Sequence, residues 1–278
     1  MGGLGNQLFQ FAAGLNARKF HSKNPKFSLQ GLTVAKNTPR SYMLGDLLKR
    51  DEVSRRGRPY MAIVRMLSVI NPVFWVSEKD SSDFPLIRIT NKSRVLLGYF
   101  QRFTYVDAVA QELIAAMSNS TIFSDIFSDT QQNNIAVHIR FGDYLTNEGA
   151  RRFHGLSSMS YYIEAVKLLQ TKHVYDKILI FSDDPNRATA EFTNAYGSGN
   201  LPVLSGSGIS EYEDLAKISS CRGIVISNST FSWWAAWLGS QIHDCSVVAP
   251  RPWFAQSTDA DKNLLPISWT VINRDLRN

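Results

Sequence analysis

Cysteine is nearly absent: Cys221 and Cys245 are the only two in 278 residues. Their spacing fits no zinc or iron–sulfur ligand pattern, and two separated thiols make no disulfide scaffold. Two small buried residues in a reducing compartment are expected. Long apolar runs are also missing. The best candidate, Met61–Ile70, is short and interrupted by Arg65, so no segment reads as a membrane span. The opening Met1-Gly2-Gly3 has no basic segment followed by an apolar one, so no secretory signal is expected and a cytoplasmic location is. Repeats and low-complexity tracts are lacking. A Walker loop is lacking too, because Gly2-Gly3-Leu4-Gly5 is followed by Asn6-Gln7 and not by Lys-Ser or Lys-Thr. The dinucleotide pattern fails at Leu8, where its third glycine belongs. The one Asp-x-Asp, Asp259-Ala260-Asp261, follows a polar stretch remote from the other polar clusters and reads as a surface loop.

What is present describes a globular chain. Hydrophobic residues make up 44%, enough for one large or two medium domains with their own cores. The formal net charge of +6 suits a phosphate-bearing ligand or an anionic surface. The basic residues are scattered, and the one dense run is Arg50, Arg55, Arg56 and Arg58. No helix with interleaved aromatics accompanies it. It therefore reads as a solvated or membrane-facing loop, and no nucleic-acid partner is expected.

The second half alternates. Ile135–Ile139, Ile178–Phe181, Pro202–Leu204, Gly223–Ile226 and Val247–Ala249 read as short buried strands, the last closing the series. Helical spacing falls between them at Tyr161–Gln170, Asn186–Tyr196 after Pro185, Glu211–Ser220 and Phe231–Ser240. This order implies a parallel, doubly wound sheet. The first half is less regular. Asn6–Lys19 is an amphipathic helix, while Lys26–Leu29, Leu86–Thr90 and Val95–Tyr99 read as strands. The basic segment Arg40–Pro72 fits no clear element. Polar residues 118–134 read as a linker between an N-terminal domain, 1–120, and a C-terminal domain, 134–278. The glycine loop follows nothing that reads as a strand, so the sheet lacks that strand or the strand lies outside this sequence.

Three of the expected strands end in polar clusters: His138-Ile139-Arg140-Phe141-Gly142-Asp143-Tyr144, Ser182-Asp183-Asp184-Pro185, and Ser227-Asn228-Ser229-Thr230. Ligands of open α/β sheets bind beyond the carboxyl ends of the strands, so the three clusters predict one site. Their chemistry fits a nucleoside diphosphate. Arg140 can fork onto phosphate oxygens. Ser227, Asn228, Ser229 and Thr230 precede a helix and can cap it or donate to phosphate. Asp183 or Asp184 can accept from a guanine edge, or can simply turn the chain into a helix. His138 is open to a core role as well as a site role. Trp233, Trp234 and Trp237 share a helical stripe that reads as core more readily than as a sugar-stacking surface.

These segments together resemble glycosyltransferase family 11, the α-1,2-fucosyltransferases. The resemblance rests on Gly2–Gln10, on Gly98-Tyr99-Phe100-Gln101, on His138-x-Arg140-x-Gly142-Asp143-Tyr144, and on Phe181-Ser182-Asp183-Asp184. The run Ser227–Leu238 carries it further, followed by Val248-Ala249-Pro250 and Trp253-Phe254. It implies an α/β, GT-B-like fold of two Rossmann-type domains facing a central cleft. It implies GDP-fucose as donor substrate, a galactoside-terminated glycan as acceptor, and inverting transfer in surface glycan biosynthesis with no metal cofactor. Arg140 would face the diphosphate. His138 with Asp183 or Asp184 would lie near the guanosine. Gly2, Gly3 and Asn6 would approach the phosphates, and Ser227, Asn228, Ser229, Thr230 and Ser232 would complete the donor pocket. Phe141 stands where many relatives carry a second arginine. Asp143 is the candidate base, with orientation of Arg140 as its equal alternative; Glu148 and His154 rank behind it. A GT-B enzyme with another nucleotide sugar and a non-catalytic nucleotide- or glycan-binding module are the competing readings.

Overall fold

Leu4–Arg18 forms the first helix, α1, because fifteen residues without proline carry apolar side chains nearly all round. Leu8, Phe11, Ala12 and Leu15 are buried as their spacing implies, and so are Phe9 and Ala13 on other faces. The computed structural model describes residues 2–20, 25–29, 41–50, 52–54, 58–70, 75–77, 95–128, 130–142, 156–197, 199–254 and 263–275. The chain divides into two compact units, Met1–Ile122 and Phe123–Asn278.

In the N-terminal unit, β1 (Phe27–Ser28) pairs in parallel with β2 (Val53–Ser54). The Phe27 ring packs 5.9 Å from that of Phe11, and a Cβ at Gly14 would fall 2.3 Å from it, so Gly14 is what lets the ring lie on α1. The basic segment resolves into a 3-10 turn at Gly45–Leu47 and a helix, α2, at Arg58–Ile70. Strands β3 (Trp75–Ser77) and β4 (Val95–Leu97) form a second parallel pair, and α3 (Phe103–Asp107) and α4 (Ala110–Ser118) follow. The expected strand at Leu86–Thr90 lies outside the described residues.

The C-terminal unit contains α5 (Asp125–Ser128), β5 (Gln132–Ile139), α6 (Met159–Gln170), β6 (Ile178–Ser182), α7 (Pro185–Tyr196) and β7 (Val203–Ser205). It continues with α8 (Glu211–Ser219), β8 (Cys221–Val225), α9 (Thr230–Ile242), β9 (Ser246–Arg251) and β10 (Thr270–Asn273). Ser158, Asp184 and Ser210 cap α6, α7 and α8 by accepting from the N–H groups of Tyr161, Arg187 and Glu213. The sheet runs β10-β9-β8-β5-β6-β7 with every pair parallel. This is the α/β, doubly wound architecture that the alternation implied.

One expectation needs correction. The series does not close at β9: β10 adds a sixth strand, pairing Thr270–Asn273 with Val248–Arg251. The division between the two units falls inside the polar segment 118–134, between Ile122 and Phe123, and that segment is itself partly ordered. Phe123 and Ile126 are fully buried, α5 lies inside the segment, and β5 begins at Gln132. The polar composition hides two apolar anchors.

The sheet core is aliphatic. Ile135, Val137, Ile139, Ile178 and Ile180 pack against Tyr161, Val166, Leu169 and Phe192 from α6 and α7. Trp233, Trp234 and Trp237 are all buried, and the Trp233 indole N–H donates to the Leu264 carbonyl, so that stripe is core. Both cysteines are free, and burial pushes each thiol up to about 12, which leaves them unreactive. No helix among the described residues is long and apolar enough to cross a membrane.

Tyr161 ties the core to the strand ends. Its buried hydroxyl lies 2.7 Å from the Ile226 carbonyl and 3.3 Å from that of Val248. Tyr161→Phe should therefore lower stability by about 1–3 kcal/mol, since it removes a donor from buried acceptors. Urea midpoints of the two proteins measure this.

Candidate functional site

Strand order reverses between β5 and β8. From β5 the chain moves outward through β6 and β7, then returns to the other side of β5 and moves outward again. The connections leave in opposite directions, and a crevice opens at the carboxyl ends of these two strands.

A hydrogen bond bridges that crevice. His138, one residue before the end of β5, is buried, and its Nδ1 lies 2.9 Å from the hydroxyl of Ser227, just past β8. Ser232, in the first turn of α9, sits 3.2 and 3.1 Å from the carbonyl oxygens of Ser227 and Ser229. The Phe231 ring flanks the imidazole at 5.4 Å. Burial, with a smaller push from Arg140 and an opposing pull from Asp183, takes the His138 pKa down to about 3. The imidazole is neutral and very weakly basic.

Arg140 lies just beyond β5 and donates through Nη1 to Ser229 Oγ at 3.2 Å. Ser229 is the N-cap residue of α9, yet its side chain makes no capping bond. Its hydroxyl faces Arg140 and not the helix. A guanidinium and the N-terminus of a thirteen-residue helix thus converge on one place, and both favour an anion. Thr230 opens α9, half-buried at the same end. Asn228 is buried, and its amide donates to the Trp253 carbonyl at 3.1 Å, tying the strand end to the segment after β9.

Asp183 belongs to this site in an unexpected way. One carboxylate oxygen accepts from the Phe141 N–H at 2.9 Å and the other from the Gly142 N–H at 2.6 Å. Partial burial raises its pKa, but these two donors, helped by Arg140, outweigh that and hold it below the usual carboxylate range. The side chain clamps the turn that follows Arg140. That turn needs Gly142, whose φ is +60°. Asp184 caps α7 through the Arg187 N–H at 3.3 Å. Sequence reasoning missed Arg187: its guanidinium stacks 4.1 Å above the Phe141 ring while pairing with Glu191 at 2.7 Å. Its place in the first turn of a helix opened by Asp184-Pro185 was the available signal.

The structure brings His138, Arg140, Asp183, Ser227, Ser229 and Ser232 together in the C-terminal unit. Gly2, Gly3 and Asn6 form their own cluster in the N-terminal unit. Gly2 has φ +82°, and a Cβ there would strike the Asn6 side chain at 2.3 Å. Gly3 is the N-cap of α1 and faces open space. Asn6 Oδ1 accepts from Gln101 Nε2 at 2.8 Å, joining the first motif to Gly98–Gln101. The organiser is Gln7, passed over as a site residue: its buried amide donates to the carbonyls of Gly2 and Ser41 at 2.9 Å each and accepts from the Met43 N–H at 2.9 Å. Asp143, Glu148, His154, Asp259 and Asp261 lie outside the described residues.

The family model described as "Glycosyl transferase family 11" matches residues 82–273, more than half of the chain and all of the crevice. The chain belongs to this family. It is 29% identical over 287 residues to the O-antigen biosynthesis glycosyltransferase WbnK of Escherichia coli, covering 91% of this chain and 93% of that one. It is 28% identical over 293 residues to an Escherichia coli alpha-1,2-colitosyltransferase, with 98% and 97% covered. Galactoside alpha-(1,2)-fucosyltransferase 1 of Lagothrix lagotricha is 26% identical over 153 residues, which cover 53% of this chain and 40% of that protein. Among solved structures, Escherichia coli ADP-heptose LPS heptosyltransferase II aligns with a TM-score of 0.34 at 19% identity, over 52% of this chain and 39% of that one. This family-11 chain is a glycosyltransferase.

The neutral His138 makes this transferase acid-sensitive in a defined window. Its folded pKa lies below its ordinary 6.5, so the unfolded chain binds a proton that the folded chain refuses. The stabilisation is complete above pH 6.5 and is lost progressively as pH falls toward 3. His138→Gln should flatten the loss of stability across that window, read from urea midpoints at successive pH values.

Proposed function

We propose that this chain transfers L-fucose from GDP-fucose to the 2-hydroxyl of a terminal β-galactoside, with inversion and without a metal ion. The observation that carries the reading is the convergence of Arg140 and the α9 N-terminus on the β5/β8 crevice. In-line attack by the acceptor oxygen on the anomeric carbon forms the new glycosidic bond as the carbon–oxygen bond to the diphosphate breaks. The acceptor hydroxyl gives up its proton and GDP leaves with added negative charge. Arg140 and the helix N–H groups meet that charge with donors already in place. The proton does not go to His138: an imidazole with a pKa of about 3, bonded to Ser227, is too weak a base. Asp143 is the proposed acceptor of that proton.

Recognition of guanine by Asp183 fits this reading through the remaining lone pairs, since each oxygen already serves one backbone N–H. The paired bond makes GDP the preferred nucleotide over ADP and UDP by about 1–3 kcal/mol, measured by calorimetry; equal affinities would reject it. A colitosyl donor is the second reading, favoured by the relative that matches 98% of this chain. Colitose is fucose without its 3-hydroxyl. Fucosyl and colitosyl donors sharing one nucleotide, run against one galactoside with linkage analysis of the product, separate the two.

Arg140→Ala should cut transfer roughly 100- to 1000-fold, because it removes a preorganised donor from a developing anion. Arg140→Lys should remain badly impaired, because an ammonium lacks the planar fork. Wild-type activity should persist in EDTA. Loss on chelation with recovery in manganese, or an Arg140→Ala enzyme that keeps most of its rate, overturns the mechanism.

A further inference from the structure

Helix α2 carries an apolar stripe turned toward solvent. Ile63, Met66, Leu67 and Ile70 recur at i, i+3, i+4 and i+7, and each is between 40% and 84% exposed. Val64, on a different face, is buried and anchors the helix to its unit. Exposed apolar residues elsewhere, such as Val174, Ile209 and Ile267, are scattered along the sequence and need no explanation. A contiguous stripe on one helix does need one.

Charge indicates what covers it. From Val53 to Ser77 the sequence holds Arg55, Arg56, Arg58 and Arg65 and no acidic residue. Exposed Lys49 and Arg50 stand just before this stretch, with Asp51 and Glu52 between. A second copy of this chain would meet the stripe through the same surface and set one arginine run against another. An anionic lipid surface offers hydrocarbon for the stripe and phosphate for the arginines.

We infer that α2 is an interfacial helix that lies flat on an anionic bilayer, its Ile63–Ile70 stripe in the headgroup–acyl boundary and the exposed Arg65 of its polar face among the headgroups. It rests on neither the donor nor the acceptor assignment, because none of the stripe residues belongs to the crevice.

The test uses the full chain in flotation with two kinds of vesicle: equal parts phosphatidylglycerol and phosphatidylcholine, or phosphatidylcholine alone. The wild type should float with the mixed vesicles and bind the neutral ones at least ~10-fold more weakly. Met66→Gln combined with Ile70→Gln should weaken binding to mixed vesicles by ~10-fold or more. Its circular dichroism and melting should be unchanged, because both side chains are exposed. Ile209→Gln, an equally conservative change away from α2, should bind like the wild type. No flotation of the wild type, equal binding to both vesicles, or equal binding by the α2 double variant overturns the inference. So does a concentration-dependent dimer that the double variant abolishes while vesicles are ignored, which assigns the stripe to a second copy.

Discussion

The reversal of strand order between β5 and β8 is the constraint on which the rest of the C-terminal unit depends. Two parallel strands lie side by side, yet the chain departs from their ends in opposite directions, so neither connection fills the gap between them. Polar groups at the two ends then satisfy one another across it, and the His138–Ser227 bond does this. Ser232 holds the carbonyls beneath, and Tyr161 reaches the same strand ends from α6. The buried polar groups at these strand ends are mutually engaged.

Much of the polar chemistry at the site is therefore structural. Asp183 clamps the turn after Arg140, Asp184 caps α7, and Asn228 holds the segment after β9. Phe141 carries the Arg187 guanidinium on its face, so a second cation reaches this turn from another element. Arg140 differs from these groups. Among the described residues its side-chain bond is to a neutral serine hydroxyl at the N-terminus of α9. The N-terminal cluster follows the same pattern: Gln7 and Gln101 organise the glycine loop, and Gly3 faces open space.

Much of the fold was legible from periodicity. The central strands and all four helices between them were readable because apolar runs of four to eight residues alternated with amphipathic ones. What escaped notice had a local disguise. β10 is only four residues long and half-buried, so it lacks the continuous apolar run of the central strands. Phe123 and Ile126 are two buried anchors in a polar stretch, next to the boundary that its composition did mark. The helix α2 was obscured by the arginines around it.

Local patterning was enough to set the order of elements, the parallel sheet, and the clusters at the strand ends, because each depends on neighbours within a few residues. It also named Arg140 and His138. The jobs of the individual side chains were decided by pairings across tens of residues. His138 meets Ser227 at a separation of 89, Asp183 meets the Phe141 N–H at 42, and Asn6 meets Gln101 at 95. Asp183, which clamps a turn, and Asp184, which caps a helix, look the same in one dimension. Only the sheet register, which brings the ends of β5, β6 and β8 together, distinguishes them.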